Sequence, residues 1–165
     1  MRKIMIVVAG AIAIMTSCSS VDCPVENIVA TVCTLYRANG TADTLRSDTL
    51  TIVSPRLNGN DTTLLNRGIG IHTFQLPMSY SNATDTLYLT LADTVETNHR
   101  LYFDTIYITK TNQLHFESVD CNLSFFHEIT DIKHTHNRLD SIVINKSTVD
   151  YDLTNDHLRM YFKKP

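Results

Sequence analysis

The chain has 165 residues and a formal net charge of −3, enough length for one ordinary domain with a real core. It has no basic patch to favour nucleic acid and no polybasic stretch for anionic lipid. Trp is absent, Gly and Pro are scarce, and no linker divides the sequence, so one folding unit is expected.

Arg2 and Lys3 open the chain, and an uninterrupted apolar or small run follows from Ile4 to Met15. That is the order of a secretory signal. The run is shorter than the roughly 20 apolar residues of a permanent membrane helix. It is also apolar on every side, unlike an amphipathic helix of a globular domain. Met15-Thr16-Ser17-Cys18 comes next and resembles the lipobox of bacterial lipoproteins, with Met15 where Leu is usual. The resemblance implies removal of residues 1–17, a diacylglyceryl thioether on Cys18 and an acylated amine there. Several acyl chains, palmitate among them, would hold the chain where a single one binds marginally. Ser19 after the cysteine, in place of Asp, favours the outer membrane. Only Asp22 represents the acidic run that would favour the cell surface, so the periplasm-facing leaflet is expected. Residues 18–26 would then be a lipidated tether and residues 27–165 a single domain.

With Cys18 lipidated, Cys23, Cys33 and Cys121 remain, an odd number in a compartment where disulfides persist. Cys23 and Cys121 each follow Val-Asp at expected strand ends and form the preferred pair. A loop of about 100 residues closed this way would add about 4–5 kcal/mol by chain entropy. Cys23–Cys33 is the rival; otherwise Cys33, inside a strand-like run, is a buried free thiol. No Cys-x-x-Cys spacing supports a thiolate metal site.

Strand periodicity dominates from there. Residues 28–36 are rich in β-branched side chains and mixed on both faces, as in a central strand. Residues 49–53 form a short alternating strand, and 62–66 and 72–76 are further candidates. Thr86 to Leu91 alternates cleanly, placing Leu87, Leu89 and Leu91 on one face. Residues 101–109 change phase near Asp104, which predicts a bulge or bend. Residues 113–118, 128–135 and 141–144 are expected strands, with a short helical turn within 120–126. Leu158, Met160 and Phe162 point inward from a closing strand. Asn39-Gly40, Asn58-Gly59-Asn60-Asp61, Ser81-Asn82 and Asn145-Lys146-Ser147 supply turns. The pattern predicts an all-β, two-sheet antiparallel β-sandwich, immunoglobulin-like or transthyretin-like, with a closed β-barrel as the alternative.

Catalytic signatures are missing from the sequence. There is no Gly-x-Ser-x-Gly elbow, no Gly-rich phosphate loop and no carboxylate pair singled out by spacing. Catalytic residues are therefore none, and the protein is not expected to be an enzyme. His134-x-His136 and His115-x-Glu117 are same-face pairs, with His127 nearby, but a third ligand cannot be named; metal and cofactor are expected to be none. Asp-Thr or Asp-Ser followed by an apolar or small residue recurs at Asp43, Asp48, Asp61, Asp85, Asp93, Asp104 and Asp140. Its plain explanation is local: Asp ends a turn, Thr begins a strand and the apolar residue enters the core. It also resembles the O-glycosylation motif of exported Bacteroidetes proteins, which makes loop-proximal Thr44 and Thr62 the glycan candidates.

A wider resemblance rests on Val21-Asp22-Cys23-Pro24, Leu64-Leu65-Asn66-Arg67, Phe74 to Tyr80, His115 to Cys121 and Leu158 to Phe162. With these segments the chain resembles a family of Bacteroidetes lipoproteins of unknown function. The resemblance implies the envelope location and the Cys23–Cys121 pairing, and transfers no activity to named residues. The expectation is a non-enzymatic, membrane-anchored accessory module that contacts a protein partner. Sandwich edge strands could accept a strand from such a partner. A carbohydrate-binding module using Tyr80, Tyr88, Tyr102 and Tyr107 is the alternative, followed by a periplasmic metal-binding protein. No nucleic-acid partner is expected, and a small-molecule ligand is unknown.

Overall fold

The computed structural model describes residues 28–45, 48–56, 58–94, 100–119 and 121–163. Among them ten strands follow in order: β1 Thr31–Tyr36, β2 Asp48–Ser54, β3 Thr62–Gly68, β4 Thr73–Leu76, β5 Thr84–Asp93, β6 Leu101–His115, β7 Ser124–His134, β8 Leu139–Ile144, β9 Thr148–Val149 and β10 Leu158–Phe162. A four-stranded sheet has the order β4-β1-β10-β8, and a six-stranded sheet the order β3-β2-β5-β6-β7-β9. Every pairing is antiparallel except that of β1 with β10. The architecture is a β-sandwich, all-β among the described residues. The expected signal peptide and tether lie outside them.

Alternation places the core between the sheets. Leu50 and Ile52 of β2, Leu87, Leu89 and Leu91 of β5, and Ile106 and Ile108 of β6 face inward from the larger sheet. Cys33 and Leu35 of β1, Phe74 and Leu76 of β4, and Leu158 and Met160 of β10 belong to the same cluster. β1, the centre of its sheet with β10, is buried along nearly its whole length. That explains why its sequence carries apolar residues and threonines on both faces rather than alternating.

Three local expectations are corrected. β6 runs unbroken from Leu101 to His115, joining two segments expected as separate strands. There is no register shift at Asp104; the β5–β6 ladder is continuous, and the shift against β7 falls between Thr109 and Lys110. The apparent change of phase arises because two inward positions of β6, Asp104 and Lys110, are polar, while Phe103 and Tyr107 point outward. Residues 124–126 begin β7 and form no helical turn.

Asp104 holds the crossing between the sheets. After β7 the chain leaves the larger sheet, turns at Thr135–Arg138, and enters β8 of the smaller one. The Asp104 carboxylate, 5 % exposed, receives this turn. Its Oδ1 accepts from Thr135 Oγ1 at 2.7 Å and Asn137 N at 2.8 Å, and its Oδ2 from the Arg138 and Leu139 amides, both at 2.8 Å. Burial raises the carboxyl pKa, but the hydrogen bonds from Thr135, Leu139, Arg138 and Asn137 outweigh it and leave it below its ordinary value. Beside the turn, Arg138 pairs with Asp48 at 3.2 Å and lies over the Tyr102 ring at 5.3 Å.

His157, fully buried just before β10, ties the parallel strand pair at its start. Its Nδ1 accepts from Val32 N at 3.0 Å, and its own amide donates to the Val32 carbonyl at 2.9 Å. An accepting Nδ1 requires the neutral ring with the proton on Nε2. Burial, and then the charge of Lys146, hold its pKa below the ordinary histidine value. Protonation would break the bond from Val32, so the folded state resists it.

Two outcomes follow. Leu89→Ala, at a position 2 % exposed, should lower unfolding free energy by about 2–5 kcal/mol; Tyr88→Ala, next to it but 45 % exposed, should have a much smaller effect in the same denaturant titration. Asp104→Asn puts an NH2 group against a backbone donor in either orientation and should cost about 3 kcal/mol at pH 7. Because the folded pKa of Asp104 is depressed, its stabilisation is present above the unfolded value of about 3.9 and lost as pH falls through the folded one. The difference between wild type and Asp104→Asn should therefore shrink below about pH 4. A difference that holds constant down to pH 2 would contradict the assignment.

Candidate functional site

The connection from β4 to β5 is a short loop, Pro77–Ala83, whose conformation is imposed from below by β6. The Lys110 ammonium is fully buried and donates to the carbonyls of Ser79 and Asn82, each at 2.6 Å. It also lies 3.3 Å from Asp85 Oδ2, and that same oxygen accepts from the Ser79 amide at 3.1 Å. Two residues along β6, Asn112 Nδ2 donates to the carbonyls of Tyr80 at 3.0 Å and Asn82 at 3.1 Å. The orientation of that amide is set by His127, whose Nδ1 meets Asn112 Oδ1 at 2.8 Å. Burial and the neighbouring Lys110 charge lower the His127 pKa, which favours the neutral ring with its proton directed at Asn112. Within the loop, Ser79 Oγ accepts from the amides of Ser81 and Asn82. The loop is thus fixed at three of its carbonyls, those of Ser79, Tyr80 and Asn82, without being buried itself.

This rigid loop forms one wall of an open cleft of about 870 Å³; the tip of the β2–β3 hairpin forms the other. Polar side chains such as Arg56, Asn58 and Thr62 line the hairpin side, and Ser81, Asn82 and Tyr80 the loop side. Tyr80 is 67 % exposed, and its ring stacks on Phe125 with centroids 5.2 Å apart and planes at 23°. One face of the ring is thereby occupied and its orientation fixed.

A second surface is the outward face of the six-stranded sheet. Tyr88 of β5 is opposite Thr105 of β6, so Phe103 and Tyr107 are its two diagonal neighbours. Diagonal positions are about 7–8 Å apart, within reach of aromatic rings. Leu101 extends the row along β6. Leu101, Phe103, Tyr107 and Tyr88 are 55 %, 60 %, 43 % and 45 % exposed and form one stripe. Thr86 and Thr90 stand opposite Tyr107 and Phe103, so the stripe is bordered by threonine hydroxyls.

The residues expected to matter are distributed as follows. Cys18 and Cys23 lie outside the described residues. Cys121 is disulfide-bonded, whereas Cys33 is free, and burial pushes its thiol up to about 12. Such a thiol is inert as a nucleophile at neutral pH. Thr44 is half-buried in the loop before β2, its amide held by Asp43 Oδ1 at 2.9 Å. Thr62 is half-buried at the start of β3 and borders the cleft. His134 and His136 lie with ring centroids 4.3 Å apart, each Nδ1 against a backbone carbonyl. His115 is 3.8 Å from Glu117 and stacks on Phe126. The carboxylates of Asp150 and Asp152 converge on Lys146 at 3.2 and 3.0 Å. Among the described residues no three His, Cys, Asp or Glu side chains cluster as metal ligands, and no helix is long and apolar enough to cross a membrane. Of the four tyrosines singled out, Tyr80, Tyr88 and Tyr107 are exposed, whereas Tyr102 is partly buried against the core with Arg138 over its ring.

Lys110, Asn112 and Phe103 were not singled out from sequence, and Asp85 only as a member of the Asp-Thr-apolar tripeptides. Lys110 and Asp85 are charges in strands distant in sequence, and no local spacing marks their pairing. Phe103 had a signal, its outward phase relative to Ile106 and Ile108, hidden by the polar Asp104. Lys110→Met strands a poorly solvated Asp85 carboxylate, leaves the Ser79 carbonyl without its ammonium donor and leaves Asn82 with Asn112 alone. A loss of about 3–5 kcal/mol is expected, with faster amide exchange at Ser81 and Asn82 than at the core amide of Leu89.

The family model described as "Family of unknown function (DUF6452)" matches residues 49–162, well over half of the chain, from the second residue of β2 to the end of β10. No curated protein matches the chain, and no solved structure does. The chain belongs to the family of unknown function DUF6452.

Proposed function

We propose that this protein is a lipid-anchored, non-enzymatic binding module of a Bacteroidetes cell envelope, whose partner is a protein held against the outer face of the six-stranded sheet. The observation that carries the contact is the stripe of Leu101, Phe103, Tyr107 and Tyr88, contiguous by register and exposed. Exposed apolar rows of this kind with a polar border are characteristic of interaction surfaces, and aromatic residues supply most of the affinity at such surfaces. The core has already consumed the inward face of every strand involved, so these side chains have no structural duty in the sandwich.

The location rests on the signal-like segment and on Cys18. After cleavage, Cys18 carries the acyl chains and sits in the outer membrane, with the domain facing the periplasm. The disulfide at Cys121 agrees with an oxidising compartment. With Cys33 free and the Cys18 sulfur alkylated, Cys23 is the remaining partner for Cys121. Thr44 and Thr62 are the candidate O-glycan acceptors.

A photoactivatable residue at Phe103 or Tyr107, in the full chain in native membranes, should capture the same protein from both positions. The same probe at Val143, exposed on β8 of the other sheet, should not. No adduct, or equal adducts from all three sites, would overturn the contact surface. Palmitate label should enter the wild type and be lost in Cys18→Ala, which should also retain its signal segment. A native mass in excess of protein plus lipid should drop in Thr44→Ala or Thr62→Ala.

A further inference from the structure

We propose that the cleft between the β2–β3 hairpin and the Pro77–Ala83 loop is a saccharide-binding subsite, with Tyr80 as the platform on which a neutral pyranose stacks. This site adjoins the protein-contact face, with Thr86 bordering both, and does not rest on the membrane anchor.

Its volume of about 870 Å³ lies within the roughly 300–1,000 Å³ typical of small-ligand sites, with room for more than one sugar ring. The lining carries the chemistry that hydroxyl-rich ligands require. Asn58, Thr62, Ser81 and Asn82 offer amide and hydroxyl groups that both donate and accept. A pyranose also has an apolar face of C–H groups, which packs against the negative face of an aromatic ring. Tyr80 presents such a ring: one face is occupied by Phe125, and the side chain remains 67 % exposed.

Two further features favour this ligand class. The loop is organised before any ligand arrives, because Lys110 and Asn112 hold the carbonyls of Ser79, Tyr80 and Asn82. Little ordering entropy would then be lost on binding, which matters for a weakly bound, heavily hydrated ligand. The cleft exposes little charge. Arg56 is the cation of the lining, and the lining carboxylate, Asp85, is paired with the buried Lys110 below. A phosphate or acidic glycan would meet only one accessible cation, so a neutral sugar fits better. Thr62 borders the same space, so a glycan on that residue and a bound saccharide would exclude one another.

The test is isothermal titration of the detergent-solubilised full chain with maltotriose, cellotriose, chitotriose and β-1,4-mannotriose, and with sialyllactose as the acidic comparison. A Thr62→Ala version is titrated in parallel, so that a glycan at that position cannot mask the cleft. At least one neutral trisaccharide should bind. Tyr80→Ala should weaken it at least about tenfold, Tyr80→Phe should keep it within about threefold, and Arg56→Gln should weaken it less than Tyr80→Ala. Val143→Ser should leave it unchanged, and the melting temperature of each variant reports whether the fold is intact. Binding of none of the neutral sugars, tighter binding of sialyllactose, or affinity indifferent to Tyr80→Ala would overturn the proposal. Loss of the Phe103 photoadduct with sugar binding retained would count against the protein-contact surface alone.

Discussion

A carboxylate inside a β-sandwich holds this fold in one arrangement. Asp104 takes three backbone amides and a threonine hydroxyl from the turn that carries the chain from the larger sheet to the smaller. Without it, those amides would face a largely apolar interior with no acceptor, at a cost of roughly 1–3 kcal/mol each. The turn also fixes where β8 begins, hence the register of β8 on β10, and through β10 the placement of β1. A single acidic side chain thus connects the two layers before any side-chain packing is considered. Ionisation makes the connection stronger, since hydrogen bonds to a charged acceptor are worth about twice those to a neutral one.

The same device recurs along the larger sheet. Asp48, Asp85 and Asp104 are inward-facing members of the Asp-Thr-apolar tripeptides, each followed by an outward Thr and an inward Leu or Ile. Asp48 meets Arg138, Asp85 meets Lys110, and Asp104 meets backbone amides. Each is paired where it enters the interior. Buried pairs of this kind add little net stability over an apolar substitute. What they fix is position: Arg138 beside the sheet crossing, and Lys110 beneath the loop that carries Tyr80. The recurrence of the tripeptide therefore has a structural explanation at these three sites that differs from turn-ending: the Asp itself enters the interior.

Much of the sandwich was legible because period two survives wherever the inward residues are aliphatic. Leu87, Leu89 and Leu91 share the core face as their spacing predicts, and Leu158 and Met160 do the same from β10. Legibility failed where an inward position was polar. Asp104 and Lys110 broke the apolar rhythm of β6, so one long strand read as two pieces with a bend. β9, two residues paired with His127 and Glu128, is too short for any periodic signal. The candidate sites were legible only in part. Exposed tyrosines could be named, but Tyr102 lies one register position away from Phe103 on the opposite face, a distinction that rests on the phase hidden by Asp104. The support of the cleft loop by Lys110 and Asn112 joins residues some thirty positions apart in the chain, and no local pattern encodes such a contact.

The division of labour between faces follows from the same alternation. A strand in a two-layer sandwich gives every second side chain to the core, and whatever distinguishes one such protein from another must use the remaining half or the loops. On β5 and β6 the commonest outward residue is threonine, which stabilises strands and costs little in water. Against that background Leu101, Phe103, Tyr88 and Tyr107 stand out, because exposed aromatic and aliphatic groups add little to a sheet that threonine would already satisfy. The loop bearing Tyr80 shows the complementary case. There a buried lysine and a histidine-oriented asparagine are devoted to holding a surface segment that the core does not need. In both places the sequence departs from what the sandwich alone requires, and those departures are where binding is to be sought.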